Sequence, residues 1–256
     1  MHDLPMSVPQ PAALDLLSDD LRDLLVPLLR PAPIPQGRLE EWKAERTAIE
    51  QQAEELAIRV VTAPALSRGI VTDAICRRWL DVAPTAAEKF WFGSILRAGL
   101  AERVILPTLL ERLARPGVPE LRWLYQVCVA VSMDLRRVLP FSQDGDAYGE
   151  LLREALALDP NDVMTWRLLA DLLLDRVAYG THEWSLGRGP VDGGPDEWLE
   201  TAREAELIIE SAPPAALPAG YADEIRDQIG KLTSWIEYKA AEPGIPFFDW
   251  LHQRSA

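Results

Sequence analysis

Along almost the whole chain, apolar residues recur at the three- and four-residue spacing of a helix with one buried face. In ALDLLSDDLRDLLVPLLR, Leu14, Leu17, Leu21, Leu24, Leu25, Leu28 and Leu29 form one stripe, with Asp15, Asp19 and Arg22 off it. Pro27 is placed to kink or end this element, because its ring removes an N–H and clashes with the preceding turn. RPAPIPQG at 30–37 reads as an extended connector. A long helix follows from about Leu39 to Val61, carrying Trp42, Ile49, Leu56 and Val60, and TAPALSRG breaks it. The spacing then predicts helices over roughly 70–82, 86–99, 101–114, 119–138, 147–158, 162–178, 195–211 and 219–240. No convincing strand alternation appears, so the expected fold class is all-α with no sheet.

Within that pattern one unit recurs. AICRRWLDVAPTAAEKFWFGSILRAG (74–99) aligns with ELLREALALDPNDVMTWRLLADLLLD (150–175), pairing Pro84 with Pro160, Phe90 with Trp166, Ser94 with Ala170 and Leu96 with Leu172. A weaker copy at 109–130 has Pro116 and then Trp123, and the prolines fall 32 and 44 residues apart, near the period of two-helix repeats. A proline just past a helix cannot extend it, and the residue before it is pushed out of the helical region. Asn161 and Asp162 are placed to cap the next helix by accepting its free N–H groups. The bulky Trp166 is then expected to wedge against the preceding helix, while Ala170 lets the two backbones approach.

On these residues the chain resembles the tetratricopeptide repeat. Residues 147–175 look like the second helix of one unit and the first of the next: Ala155 and Pro160 match the small and proline positions, and Trp166, Leu169, Ala170 and Leu173 the first-helix signature. The likeness covers about thirty residues. It departs at Gly93, where the motif usually has Leu, and after Tyr179, where its short turn is missing. It implies an irregular array of antiparallel helical hairpins, a tetratricopeptide-like α-solenoid, with a concave groove lined by first-helix residues. Those are Met164, Arg167, Asp171 and Leu174 in the better copy, and Glu88, Trp91, Ile95 and Ala98 in the poorer one. The expected organisation is a Pro-rich segment with one amphipathic helix at 1–37 and a helical-repeat domain at 38–256. That domain holds an inserted loop at 179–198 and an aromatic tail at 242–256.

Composition narrows the function without naming it. Hydrophobic residues make up 48% and charged residues 26%, values of an ordinary folded protein, and the nine Trp read first as core fillers. Cys76 and Cys128 sit in apolar helical patterns and suit a reducing compartment, although a disulfide between them stays open. The amino terminus has no basic residue before Arg22 and no signal-length apolar run, and no segment has the length of a membrane span. A cytoplasmic protein is expected. Charge is uneven: residues 1–138 carry 17 Lys and Arg against 18 Asp and Glu, whereas 139–256 carry 9 against 22. Such a surface disfavours nucleic acid and anionic membranes, and it would steer a basic partner or simply keep the protein soluble.

Catalytic motifs are absent. His2, His182 and His252 are the only histidines, and no His-Glu-x-x-His, Cys-x-x-Cys or nucleophile-elbow pattern occurs. DGDAYGE at 144–150 lacks the acid a calcium loop needs at its twelfth position, where Ala155 stands, so helix capping is the reading of these acids. No metal, no cofactor and no catalysis are expected. The best candidate for a functional insertion is YGTHEWSLGRGPVDGGPDEW (179–198), with His182, Glu183, Trp184 and Arg188 as contact groups. In the tail, Phe247, Phe248, Trp250 and Leu251 are expected to cap the end of the array, the alternative being an exposed docking peptide. The leading expectation is a non-catalytic scaffold that binds another protein, with an acidic inhibitor or immunity protein for a basic partner as its sharper form. Beside it stand an enzyme or small-ligand protein whose cleft the 179–198 loop closes, and a structural subunit of a larger assembly. No oligomeric state follows from the sequence.

Overall fold

In a computed structural model of the protein, residues 11–30, 39–81, 86–132, 146–183, 190, 194–214 and 216–255 are described. All regular structure among them is helical. The elements are α1 (Pro11–Leu14), α2 (Asp19–Leu28), α3 (Leu39–Val61), α4 (Ala65–Leu80), α5 (Ala86–Ile95), a π-helical stretch (Leu96–Ile105), α6 (Leu106–Arg112), α7 (Val118–Ala130), α8 (Ala147–Leu158), α9 (Val163–Thr181), α10 (Pro195–Ser211), α11 (Tyr221–Ala241) and α12 (Phe247–Ser255). Among the described residues no helix is long and apolar enough to cross a membrane. The chain divides into two compact units, Met1–Leu151 and Leu152–Ala256.

In the first unit the leucine stripe is split rather than continuous. Ser18 is extended (φ −62°, ψ 152°) ahead of Asp19 and Asp20, acids that suit a helix start. The end of α1 is closed by Arg22, which donates to the carbonyls of Leu14 and Leu17, each at 3.2 Å. Pro27 lets α2 run one residue further, to Leu28. The freed carbonyls at this end find side-chain donors: Gln52 reaches Leu24 O at 2.9 Å, the Trp79 indole reaches Leu28 O at 3.0 Å, and Arg78 reaches Leu29 O at 2.9 Å. Leu21, Leu25 and Leu28 are buried, as are Ala53, Leu56, Ala57 and Val60 on α3. TAPALSRG breaks the chain only briefly, since α4 already starts at Ala65 behind Pro64, whose missing N–H costs nothing at a helix start.

Two further features shape this unit. The break expected at Gly99 is a widened winding instead. Gly99 takes φ +89°, and the Leu106 N–H bonds to the Ala101 carbonyl, five residues back. Around this stretch Trp91 is buried edge-on to Trp42 (centroids 6.1 Å apart), and Trp79 stacks on Phe92 at 6.2 Å. The second feature is Asp81, just past α4, which accepts from the guanidinium of buried Arg122 at 2.5 Å and the indole of Trp123 at 2.7 Å. A buried cation thus sits against its carboxylate, with Arg77 over the Trp123 ring at 5.8 Å.

The second unit packs on small side chains. Ala155, Ala170, Ala202 and Ala205 have no exposed surface, and Leu169 and Leu173 are buried beside them. Gly180 of α9 lies against Trp198 of α10 so closely that an added Cβ would stand 2.5 Å from the indole. Helix α10 packs against both α9 and α11. After α11 the chain reverses through Glu242 (φ 41°) and Gly244 (φ 70°), bringing the aromatic tail back as α12. Phe247 is buried between Trp235 at 5.0 Å and Tyr238 at 5.3 Å, and the Tyr238 hydroxyl donates to Ile245 O at 2.9 Å. Phe248 remains exposed at the surface of this cluster.

Candidate functional site

The joint between α8 and α9 places the first group of candidate residues. Asp159 accepts the Asn161 N–H at 2.9 Å, an Asx turn that reverses the chain, and the Trp166 indole donates to Pro160 O at 2.8 Å. The six-residue interval from proline to tryptophan therefore spans a closed contact, with the ring half-buried. Asp162 occupies the N-cap position, but its carboxylate accepts the Thr165 hydroxyl rather than a backbone N–H as expected. In the aligned copy, Pro84 and the Phe90 side chain lie outside the described residues.

From this joint α9 projects Met164, Arg167 and Asp171, all half-buried, and Leu174, which is buried. Asp171 accepts the hydroxyl of Tyr221, at the start of α11, and Arg167 also interacts with that hydroxyl. Burial first, and the Asp171 carboxylate second, push the Tyr221 phenol up to about 12, while Arg167 pulls it the other way. Further along, Thr181 donates to the Gln228 side chain of α11 at 2.8 Å. The exposed His182 ring lies over Tyr179 at 5.3 Å, with Nδ1 2.5 Å from the Tyr179 carbonyl oxygen. Glu183 is half-buried, and Trp184 and Arg188 fall outside the described residues. What the structure brings together is thus a polar row from α9 and α11: Arg167, Asp171, Tyr221 and, beyond it, Gln228.

The other copy is placed differently. Trp91 and Ile95 are core residues with 1% of their surface exposed, which leaves them nothing to present to a partner in this conformation. The side chains of Glu88 and Ala98 are not among those described. Tyr221 and Gln228 were not legible as partners of α9, because their contacts join positions 50 and 47 residues apart with no local signature.

The two cysteines are inert. Cys76 and Cys128 are free and buried; burial pushes the Cys76 thiol well up and that of Cys128 to about 12, so neither is a thiolate near neutrality. Among the described residues no group of three or more His, Cys, Asp and Glu is placed to hold a metal ion. Asp144 lies outside the described residues, while Asp146 accepts the Gly149 N–H at 2.8 Å as a helix-start acid does. Comparison with protein-family models, with curated proteins and with solved structures gives no match.

Proposed function

We propose that the protein is a non-catalytic helical scaffold of tetratricopeptide-like build, and that its second unit binds another protein of basic character. The sequential packing of α9, α10 and α11 supports the build: the middle helix touches both neighbours, as the second helix of one repeat does when the first helix of the next stacks on it. In such a stack α9 and α11 line the groove, which makes Met164, Arg167, Asp171 and Tyr221 the contact row. The observation that carries the choice of partner is charge. Residues 152–256 hold 9 Lys and Arg against 19 Asp and Glu. Glu154, Asp175, Glu200, Glu210, Glu224 and Asp249 are exposed and make no ion pair among the described residues. Exposed acids without cations add little to stability and repel one another, but they raise the encounter rate with a basic surface. An inhibitor or immunity role against a basic protein, in the cytoplasm, is the sharper form of the same proposal.

The test compares retention of proteins from the native host on the wild-type chain and on a variant with Glu200, Glu210, Glu224 and Asp249 changed to Gln. A basic protein held by the first and lost from the second supports the proposal. Equal retention of the same protein by both, or a retained partner that is itself acidic, contradicts it.

A further inference from the structure

The first unit holds a cleft of about 370 Å³ between α3 and the run from α5 into the π-helical stretch. It is lined by Thr47, Glu50, Gln51 and Glu54, which share one face of α3, and by Ser94 and Arg97 opposite. Three groups of this lining keep unused hydrogen-bonding or charge capacity among the described residues. The Ser94 hydroxyl is fully buried, and its oxygen has no hydrogen-bond partner although a donor and two acceptor sites need one. Among the described residues no carboxylate pairs with Arg97, whose guanidinium is tethered only through Nε to Gly93 O at 3.0 Å. Glu54 is exposed and pairs with no cation among the described residues, while its neighbour Glu50 pairs with Arg46 at 2.7 Å.

Gly93, the departure from the repeat pattern noted in the sequence, explains how Arg97 comes to lie there. A Cβ at position 93 would stand 2.8 Å from an Arg97 terminal nitrogen, so the guanidinium folds back over the space that a side chain would fill. The winding turns to the π form directly beyond, at Leu96, a local widening that recurs at binding sites. A guanidinium with free N–H groups and a buried hydroxyl suit a carboxylate, and the carboxylates of α3 suit an ammonium group. The volume lies at the small end of the range for small-molecule pockets, roughly 300–1,000 Å³.

We propose that this cleft binds a small zwitterion of the free amino-acid class, its carboxylate on Arg97 and Ser94 and its ammonium on Glu54 and Glu50. The site lies wholly within Met1–Leu151 and does not rest on the protein-binding reading of the second unit. Isothermal titration of the full chain with each of the standard amino acids tests it, with acetate and methylamine as the two half-molecules. Saturable binding of one or more amino acids is expected, with neither half-molecule binding comparably. Arg97→Gln and Glu54→Gln are each expected to weaken it about tenfold, the loss of one charge-assisted contact. Gly93→Ala keeps the helix and displaces only the flexible end of Arg97, so it is expected to bind more weakly at unchanged helicity. Ser94→Ala removes a hydroxyl that nothing in the protein satisfies, so it is expected to melt no lower than wild type while binding less. Absence of binding by every amino acid, equal binding of acetate or methylamine, or affinities that these four variants leave unchanged would overturn the proposal.

Discussion

The two units reach the same all-helical outcome with opposite kinds of filling. Met1–Leu151 is packed around indoles: Trp91 and Trp123 are fully buried, and Trp79 and Trp123 spend their N–H groups on Leu28 O and Asp81. Leu152–Ala256 brings its helices together over alanines and one glycine, sets Trp198 against Gly180, and gathers further rings in a cluster around Phe247. A core of large rings is sensitive to removal, since each indole fills a volume that its neighbours cannot close and carries a polar atom that must stay paired. Where small residues make the contact, the weakness is addition, because the helix backbones already lie at close range.

Four substitutions sharpen that contrast, from the largest effect down. Trp91→Ala is expected to cost about 3–5 kcal/mol in urea denaturation by leaving a ring-sized void against Trp42. A loss below about 1 kcal/mol would mean that the first unit collapses around the gap, against the expectation for a rigid core. Asp81→Ala leaves the buried Arg122 guanidinium without its carboxylate and frees the Trp123 N–H, a loss of about 3 kcal/mol by the same measurement. In the second unit Gly180→Val drives a side chain into Trp198 and should cost about 1–3 kcal/mol, whereas Gly230→Ala, where nothing lies within 4 Å, should gain up to about 1 kcal/mol. Equal behaviour of the two glycines would remove the argument for close α9–α10 packing.

The smallest effect is the pH response of Tyr221. Its phenol titrates near the ordinary value of 10 when unfolded and at about 12 when folded. A raised folded value means that its contribution is whole below pH 10 and fades as pH rises towards 12. Tyr221→Phe should therefore lose about 1 kcal/mol at neutral pH, the worth of one hydrogen bond, and flatten the decline of stability across the alkaline window. An unaltered alkaline slope would show that the Asp171 contact does not survive in solution.

Most element spans are legible from local periodicity, whereas contacts between distant helices are not. The spans 39–61, 147–158 and 195–211 agree with α3, α8 and α10, since each has a periodic stripe bounded by proline, glycine or acids. Trp166 is expected to wedge against the preceding helix; its indole instead donates back to Pro160 O, a hydrogen bond that the spacing does not announce. The long leucine stripe conceals the break at Ser18, since its periodicity survives the interruption, and Pro64 reads as a stop although it is equally a start. At the candidate site, the tetratricopeptide resemblance implies Arg167 and Asp171 as first-helix groove residues. That Tyr221 covers Asp171, and that Trp91 and Ile95 turn inward, depends on which helices stack, which no local pattern contains. From the sequence Ser94 is a small residue aligned with Ala170; its unsatisfied hydroxyl depends on the surroundings that the fold supplies.

If the acidic second unit holds a basic protein, as proposed, calorimetry with the isolated partner at low and at high salt reads that attraction. Affinity is predicted to fall by about tenfold or more as ionic strength rises and the Debye length shrinks from ~30 Å at 0.01 M towards ~8 Å at 0.15 M. An affinity that stays flat across that range would mean that the acidic surface does not hold the partner.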